Sequence, residues 1–314
     1  MMTLHALPGG ASADPHPLEG GSDSPPFRSD LISVIIPVYN RRELLPQALD
    51  SVTSQELPPG MQMEVIVVDD GSTDGSDRLA VERSELDPRI RVLPVSHSGY
   101  PGAVRNRGAA AARGALLAFL DSDDTWLPGK LVAQHRLHRR AALSHTRERW
   151  IRDGRTVSQR SQRHARAGDI FSDALHKCII GPSTAMIDAA LYHRIGGFRE
   201  DLEVAEDYEF WLRVLCHTAV AYTDTPYTVK YAGPWAQLSG KYGQIEPFRI
   251  AALRPLVDSE YFRIHRSDAA QQAAARTLAR KMEIYAGGAR KRHRLDEAEQ
   301  LEEAAKKYRI LPGF

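Results

Sequence analysis

A chain of 314 residues can hold one large α/β core with an accessory piece, and a composition of 42% hydrophobic and 26% charged residues excludes a disordered, collagenous or membrane-embedded class. Lys and Arg (41) nearly cancel Asp and Glu (40), which excludes a globally basic nucleic-acid binder. Cys178 and Cys216 have no Cys-x-x-Cys spacing, so neither a disulfide framework nor a structural zinc site is expected and a cytoplasmic setting is.

Residues 1–29 mix prolines and glycines with small polar residues, a composition that cannot bury enough surface to offset ordering, and predict a disordered tail. The run Leu31 to Val38 then reads as a strand buried on both faces, as in a parallel sheet, and it stops at Tyr39-Asn40. Leu44, Leu45, Ala48, Leu49 and Val52 recur at helical spacing between Glu43 and Gln55. A second strand, Val65 to Val68, ends in the acidic turn Asp69-Asp70-Gly71-Ser72-Thr73-Asp74, which leads into a helix from Gly75 to Arg83. Ile90 to Val95 predicts a third strand, Ala103 to Arg113 an Ala-rich helix, and Ala115 to Leu120 a fourth strand running into Asp121-Ser122-Asp123-Asp124.

This βα alternation predicts a parallel sheet, and in open α/β sheets ligands bind at the carboxyl ends of strands. The acidic strand ends should therefore share one crevice. Downstream, the spacing predicts a helix from Lys130 to Ala142 and a hairpin turning at Asp153-Gly154 inside the arginine-rich segment 147–166. A strand from Lys177 to Ile187, a tight turn at Gly196-Gly197 and a helix opening at Glu206-Asp207 follow. From Pro247 onward the sequence is Ala-, Arg- and Glu-rich with helical spacing, as for a helical appendage packed on the sheet or on a second copy of the chain. The longest apolar runs are strand-sized, short of the ~20 residues that span a bilayer, so any membrane contact is expected to be peripheral.

Asp121-Ser122-Asp123 is an Asp-x-Asp at the end of a buried strand, where two carboxylates can hold a divalent cation that a diphosphate also ligates. Alone the motif is weak, because about one is expected by chance in a chain of this length. Phe210 and Trp211 have helical spacing and read as core packing, whereas Tyr39 sits at a strand end. The arginine-rich segment reads either as a solvated hairpin or as a flap meeting a phosphate-bearing donor or an anionic acceptor.

Taken in order, Val34 to Asn40, Val67 to Asp74, Arg105-Asn106, Phe119 to Asp124, Gly196-Gly197-Phe198 and Ala205 to Arg213 resemble family 2 glycosyltransferases across residues 31–230. The resemblance implies a GT-A fold, inversion at the anomeric carbon, and a nucleotide-sugar donor, expected to be UDP-linked, with Mn2+ or Mg2+. It implies that Pro37, Val38, Tyr39 and Asn40 line the nucleotide, that Asp70 accepts from a uracil ring, and that Arg105 lies near the phosphates. It further implies that Asp121 and Ser122 contact the nucleotide, that Asp123 with Asp121 holds the metal, and that Asp207 is the general base. Asp124, Trp126, Glu206 and Arg149 are additional candidate contacts to donor or acceptor.

The implied division is a transferase domain at residues 30–235, with a nucleotide-sugar half at 30–128 and an acceptor half at 129–235, then a helical region at 236–314. The acceptor and the sugar are left open, and a homodimer is compatible with the helical region. Two other readings compete. A nucleotidyltransferase or dinucleotide-dependent oxidoreductase would want glycine-rich strand ends, such as Gly-x-Gly-x-x-Gly after the first strand, and none is present. A non-catalytic sugar-nucleotide binder would have lost its base, yet Glu206-Asp207 is intact.

Overall fold

In the computed structural model, residues 27–158, 164–233 and 244–309 are described. The tail expected over residues 1–29 falls outside them except at its end, and there the boundary moves. Phe27 stacks on His193 with ring centroids 5.4 Å apart, and Arg28 already opens β1 (Arg28–Val38). The strand is longer than Leu31 to Val38 because Arg28 N donates to the Arg113 carbonyl at 2.8 Å and pairs opposite Gly114.

The expected alternation follows within a few residues: α1 (Leu45–Thr53), β2 (Gln62–Asp69), α2 (Ser76–Leu86), β3 (Ile90–Pro94), α3 (Pro101–Ala111) and β4 (Gly114–Phe119). β1 pairs in parallel with both β2 and β4, and β2 with β3. Because β1 is covered on both faces, it needs no polar alternation. Ile32, Val34 and Ile36 pack with Leu45, Leu49 and Trp126 on one side, and Ile35 packs with Val104 and Phe119 on the other. Each such side chain contributes roughly 1.5–3 kcal/mol by leaving water. Gly108 lets α3 approach that second face, since a Cβ there would lie 2.5 Å from Ile35 Cγ2.

Beyond β4 the sheet becomes mixed. Adding β5 (Asp124–Trp126), β6 (Leu143–Arg152), β8 (Ala185–Asp188) and β9 (Val220–Ala232) gives the order β3-β2-β1-β4-β8-β6-β9-β5, with β7 (Arg155–Val157) hanging on β6. The β6–β7 hairpin turns at Asp153 (φ 50°) and Gly154 (φ 71°) as the sequence predicts, while residues 159–163 of the arginine-rich segment lie outside the described residues. Helices α4 (Lys130–His138), α5 (Phe171–His176), α6 (Ala189–Ile195) and α7 (Glu206–Val214) pack around these strands.

Two expectations need correction. The strand expected over Lys177 to Ile187 is extended only from Ala185; Pro182 offers no N–H to a ladder and instead starts a 3-10 turn, Pro182–Thr184, closed by Thr184 N donating to the Gly181 carbonyl at 2.9 Å. β9 was not anticipated at all, because Thr223 to Pro226 break its alternation where the register with β6 shifts.

The C-terminal helices are α8 (Glu246–Asp258), α9 (Tyr261–His265), α10 (Asp268–Lys291) and α11 (Leu295–Arg309). They are less an appendage than a wall of the main core: Phe262, Leu278 and Met282 share one apolar cluster with Phe171, Leu175, Tyr208 and Phe119. None of the described helices is long and apolar enough to cross a membrane.

Behind β5, polar groups are buried deliberately. Lys130, fully buried, places its ammonium nitrogen 4.4 Å from the centroid of the Trp126 ring and donates to Gln134 Oε1, and burial holds its pKa well below the ordinary lysine value. His145 on β6 donates from Nε2 to the Arg166 carbonyl at 2.7 Å, and burial pushes its pKa from 6.5 down to about 4. The folded state thus binds this proton less well than the unfolded chain. Its contribution is complete above pH 6.5 and is lost as pH falls through 4. That difference corresponds to about 3 kcal/mol. His145→Gln, whose amide can still donate, is expected to flatten the wild-type loss of urea stability between pH 6.5 and 4.5; an unchanged slope would exclude His145 as its source.

Candidate active site

Parallel pairing puts the carboxyl ends of β1, β2 and β4 at the same edge of the sheet, which is why Tyr39, Asp70 and Asp121 meet there. The first two loops are locked to each other. Asn40, in the left-handed region at φ 51°, accepts from Thr73 N through Oδ1 at 2.8 Å, and its own N–H donates to Ser72 Oγ at 3.0 Å. Val38 is buried and its carbonyl accepts from Asp70 N at 2.8 Å, while Pro37 is half-buried. Asn40 and Val38 are therefore held by the loops themselves.

Asp70 is buried, and its two carboxylate oxygens accept from Ser98 N at 2.7 Å and Gly99 N at 3.0 Å. The same loop brings His97 Nδ1 to 3.0 Å from Asp70 Oδ2 and stacks the imidazole on Tyr39, centroids 4.0 Å apart and 18° from parallel. His97 belongs to no motif recognised in the sequence, and nothing in its local pattern marks it.

The centre of the site is a buried fork. Arg105, from α3, donates through Nη2 to Asp121 Oδ1 and through Nη1 to Glu206 Oε1, both at 2.7 Å. Only 4% of Arg105 is exposed, so the arrangement joins the β4 loop to the start of α7 across otherwise dry space. Burial would discharge the guanidinium, but the two carboxylates outweigh it and hold its pKa above the ordinary value. Glu206 is pushed up to about 7, first by burial and then by the charge of Asp207, against the pull of Arg105. The Arg105 Nε hydrogen has no partner among the described residues.

A second cation was not anticipated. Lys230 of β9 sits 3.1 Å from Asp124 Oδ2 and 3.9 Å from Asp121 Oδ2. Burial opposes its charge, yet Asp124, Asp121 and Glu148 together hold the ammonium above its ordinary pKa. Ser183, delivered by the 3-10 turn, completes the arrangement: its hydroxyl accepts from Asp121 N at 3.0 Å and donates to Asp124 Oδ2 at 2.6 Å, and its carbonyl accepts from Trp126 Nε1 at 2.8 Å.

These contacts sort the sequence candidates. Asp124 is buried against Lys230 and Ser183, so it supports the loop from behind, and Ser122 is buried beside it. Trp126, offered as a contact to donor or acceptor, is 3% exposed with its indole N–H committed, and it packs. Arg149 is exposed on β6, but alternation points it to the face opposite Trp150 and away from Lys230. Asp123 differs from its neighbours. It is half-buried and makes no ion pair or side-chain hydrogen bond among the described residues, and burial together with the charge of Asp121 raises its pKa.

Asp207 is half-buried at the first turn of α7, where its Oδ1 accepts from Tyr208 N at 2.6 Å. The preceding Ala205 is held at φ 65°, a left-handed conformation costly for a residue with a Cβ, just before the buried Glu206 and the half-buried Asp207. Burial and the neighbouring Asp207 carboxylate push the Cys178 thiol well above its ordinary pKa. Gly196 (φ 85°) and Gly197 (φ 68°) end α6, and a Cβ on Gly197 would lie 2.5 Å from Asn106 Oδ1. They make a turn, as expected.

No group of three or more His, Cys, Asp or Glu among the described residues could hold a metal unaided. Asp123, with no ionic partner, and Asp121, whose Oδ2 has Lys230 Nζ 3.9 Å away, are two neighbouring carboxylates on one loop, a donor type that suits a hard cation whose other ligands are substrate phosphates and water. The residues present fit such an ion.

The family model described as "Glycosyl transferase family 2" matches residues 33–196, half of the chain. The chain belongs to that family. The match stops before Glu206, so the place of α7 in the site comes from the fold. Bacillus subtilis TuaG, provisionally named as a teichuronic acid biosynthesis glycosyltransferase, is 33% identical over 195 residues, covering 61% of this chain and 75% of TuaG. S. aureus TarS (residues 1–349), solved in complex with UDP-GlcNAc, superposes with a TM-score of 0.63 at 20% identity, covering 90% of this chain and 93% of that one. The Pyrobaculum calidifontis mannosyltransferase PcManGT, solved with GDP-Man and Mn2+, gives a TM-score of 0.56 at 19% identity, covering 94% of this chain and 91% of its own. These likenesses show the GT-A type of fold that the resemblance implied for this glycosyltransferase, and they extend it over the C-terminal helices.

Proposed function

We propose that the protein is an inverting, metal-assisted glycosyltransferase that moves a sugar from a UDP-linked donor to an acceptor hydroxyl, with Asp207 as the general base. The observation that carries this reading is the Arg105 fork, which ties the Asp-x-Asp loop to the helix bearing Asp207 and makes one crevice of the two. Single inversion needs a base on the face opposite the leaving group and an electrophile at the diphosphate, with no covalent intermediate.

Asp207 takes the acceptor proton, and its value lies in its position at the start of α7. Tyr39 and His97 supply an aromatic wall for the base, and Pro37 and Asp70 border it. Asp123 and Asp121 would hold Mn2+ or Mg2+, which would supply charge neutralisation at the leaving diphosphate. Arg105 keeps Asp121 in place. Lys230 neutralises Asp124, so that the loop does not expel itself before the donor arrives.

The test needs no acceptor. Thermal stability is measured with UDP, GDP, CDP, dTDP and NAD, each with and without Mn2+. A ligand at 100 times its dissociation constant adds about 2.7 kcal/mol of stability. UDP with Mn2+ is expected to raise the unfolding temperature, and Asp123→Ala to abolish the metal-dependent part. A response to NAD alone, or to no diphosphate, would overturn the reading.

A further inference from the structure

The face of the sheet that closes on the acidic loop continues outward as a basic one. Side chains alternate along a strand, so Glu148, Trp150 and Arg152 of β6 share a face. Parallel register sets Thr228, Lys230 and Ala232 of β9 beside them. This is the site face: Thr228 Oγ1 donates to the Ser183 carbonyl at 3.1 Å, and Lys230 reaches Asp124. The Trp150 ring centroid lies 5.6 Å from Lys230 Nζ. On the other side of β6, β7 sets Val157 opposite Trp150 and Arg155 directly opposite Arg152.

Arg152 and Arg155 therefore lie side by side, two residues or about 7 Å outward from Trp150. Both are exposed, and neither makes an ion pair or side-chain hydrogen bond among the described residues, although Asp153 stands between them in the turn. Like charges directly opposed on an antiparallel pair destabilise it, and the Asp153-Gly154 turn fixes the register so that the pair cannot slip apart. Two guanidinium groups held in that arrangement form a fork for one external anion.

The same face also reaches the base. A Cβ on Gly181 would lie 3.2 Å from Glu148 Oε2 and 3.3 Å from Lys230 Cε, whereas Cys178, three residues earlier, is beside Asp207. Three residues span at most about 10 Å. Asp207 beside Cys178, and Arg152, four residues or about 13 Å along β6 from the Glu148 that Gly181 adjoins, are thus within the reach of one extended oligomeric acceptor.

We propose that Arg152 and Arg155 bind a phosphate or carboxylate group of the acceptor, so that the acceptor is an anionic glycan or glycan precursor. The assignment rests on the glycosyltransferase reading above. It is tested on the full chain and on the Arg152→Gln/Arg155→Gln double variant, by titrating each with short-chain inorganic polyphosphate, oligogalacturonate and a neutral maltooligosaccharide. UDP and Mn2+ are present at saturation so that the donor crevice cannot capture the anion. One or both anions are expected to bind with a strong salt dependence and the neutral sugar not to; the double variant should weaken anion binding about tenfold, the combined effect of two exposed charge-assisted contacts, with UDP affinity unchanged.

The phosphate and carboxylate arms tell which group the acceptor carries. Absence of anion binding, or binding that the double variant leaves intact, overturns the proposal. So does binding to phosphatidylglycerol vesicles without binding to either soluble anion, which would make the face a membrane contact. A chain that binds the anion but no nucleoside diphosphate overturns the acceptor role through failure of the transferase reading, a result distinguishable from the others.

Discussion

Arg105→Met is expected to cost about 3–5 kcal/mol of folding stability at pH 7, the range for removing one partner of a buried ionic cluster and stranding the others. What is stranded is specific: buried Glu206 and half-buried Asp121 each lose a 2.7 Å bond to the guanidinium. Glu206, already raised to about 7 with Arg105 present, would rise further without it. A carboxyl group whose folded pKa is raised above its unfolded value costs stability as pH rises through that window, so the deficit of the variant should shrink on going from pH 7 to pH 5. Urea denaturation at both pH values, with unchanged m-values, measures this. A loss below about 1 kcal/mol, or one independent of pH, would mean that the fork is not a structural keystone.

Asp207→Asn is expected to lower kcat by a factor of about 10²–10⁴ while leaving UDP binding intact. Asparagine is nearly isosteric, and its carbonyl oxygen can still accept from Tyr208 N, so α7 should begin as before. Glu206→Gln gives the contrast. That carboxylate is buried and committed to Arg105, so its loss should appear first in stability and only secondarily in turnover. Single-turnover kinetics with a competent acceptor separate the two variants. An Asp207→Asn enzyme within tenfold of wild type would remove Asp207 as the base, and a wild-type protein that binds UDP yet transfers to no acceptor would favour a non-catalytic binder.

The first four strands were legible because buried parallel strands write themselves as unbroken apolar runs, and because Asp70 and Asp121 follow those runs directly. The hairpin was legible for a similar reason, since Asp153-Gly154 has few other uses. Lys230 and Ser183 were not. A lysine on a half-exposed strand looks like any surface lysine, and only the crossover that brings β9 beside β6 shows that it faces Asp124. Ser183 follows a proline that stops the very strand it was assigned to, and its two contacts with the Asp121–Asp124 loop span about sixty residues of chain. Trp126 failed in the opposite direction: it was offered as a contact to donor or acceptor, but it is buried and its indole N–H donates to the Ser183 carbonyl. Local pattern carries the backbone path and the ends of strands, whereas partners chosen across the sheet leave no trace in it.

Tyr208, next to Asp207, donates its hydroxyl to the Leu175 carbonyl at 2.6 Å, and Lys281 of α10 stands 5.8 Å from the centre of its ring while bonding the His176 carbonyl at 2.8 Å and Glu246 at 3.1 Å. The far helices thus brace the start of α7, where the proposed base stands, from a region that the family match does not reach. A chimera joined near residue 235, where the transferase domain ends by sequence, would sever that brace. One joined after Met282 would keep it, so exchange of parts between relatives is constrained by a mechanical linkage that lies well past the chemistry.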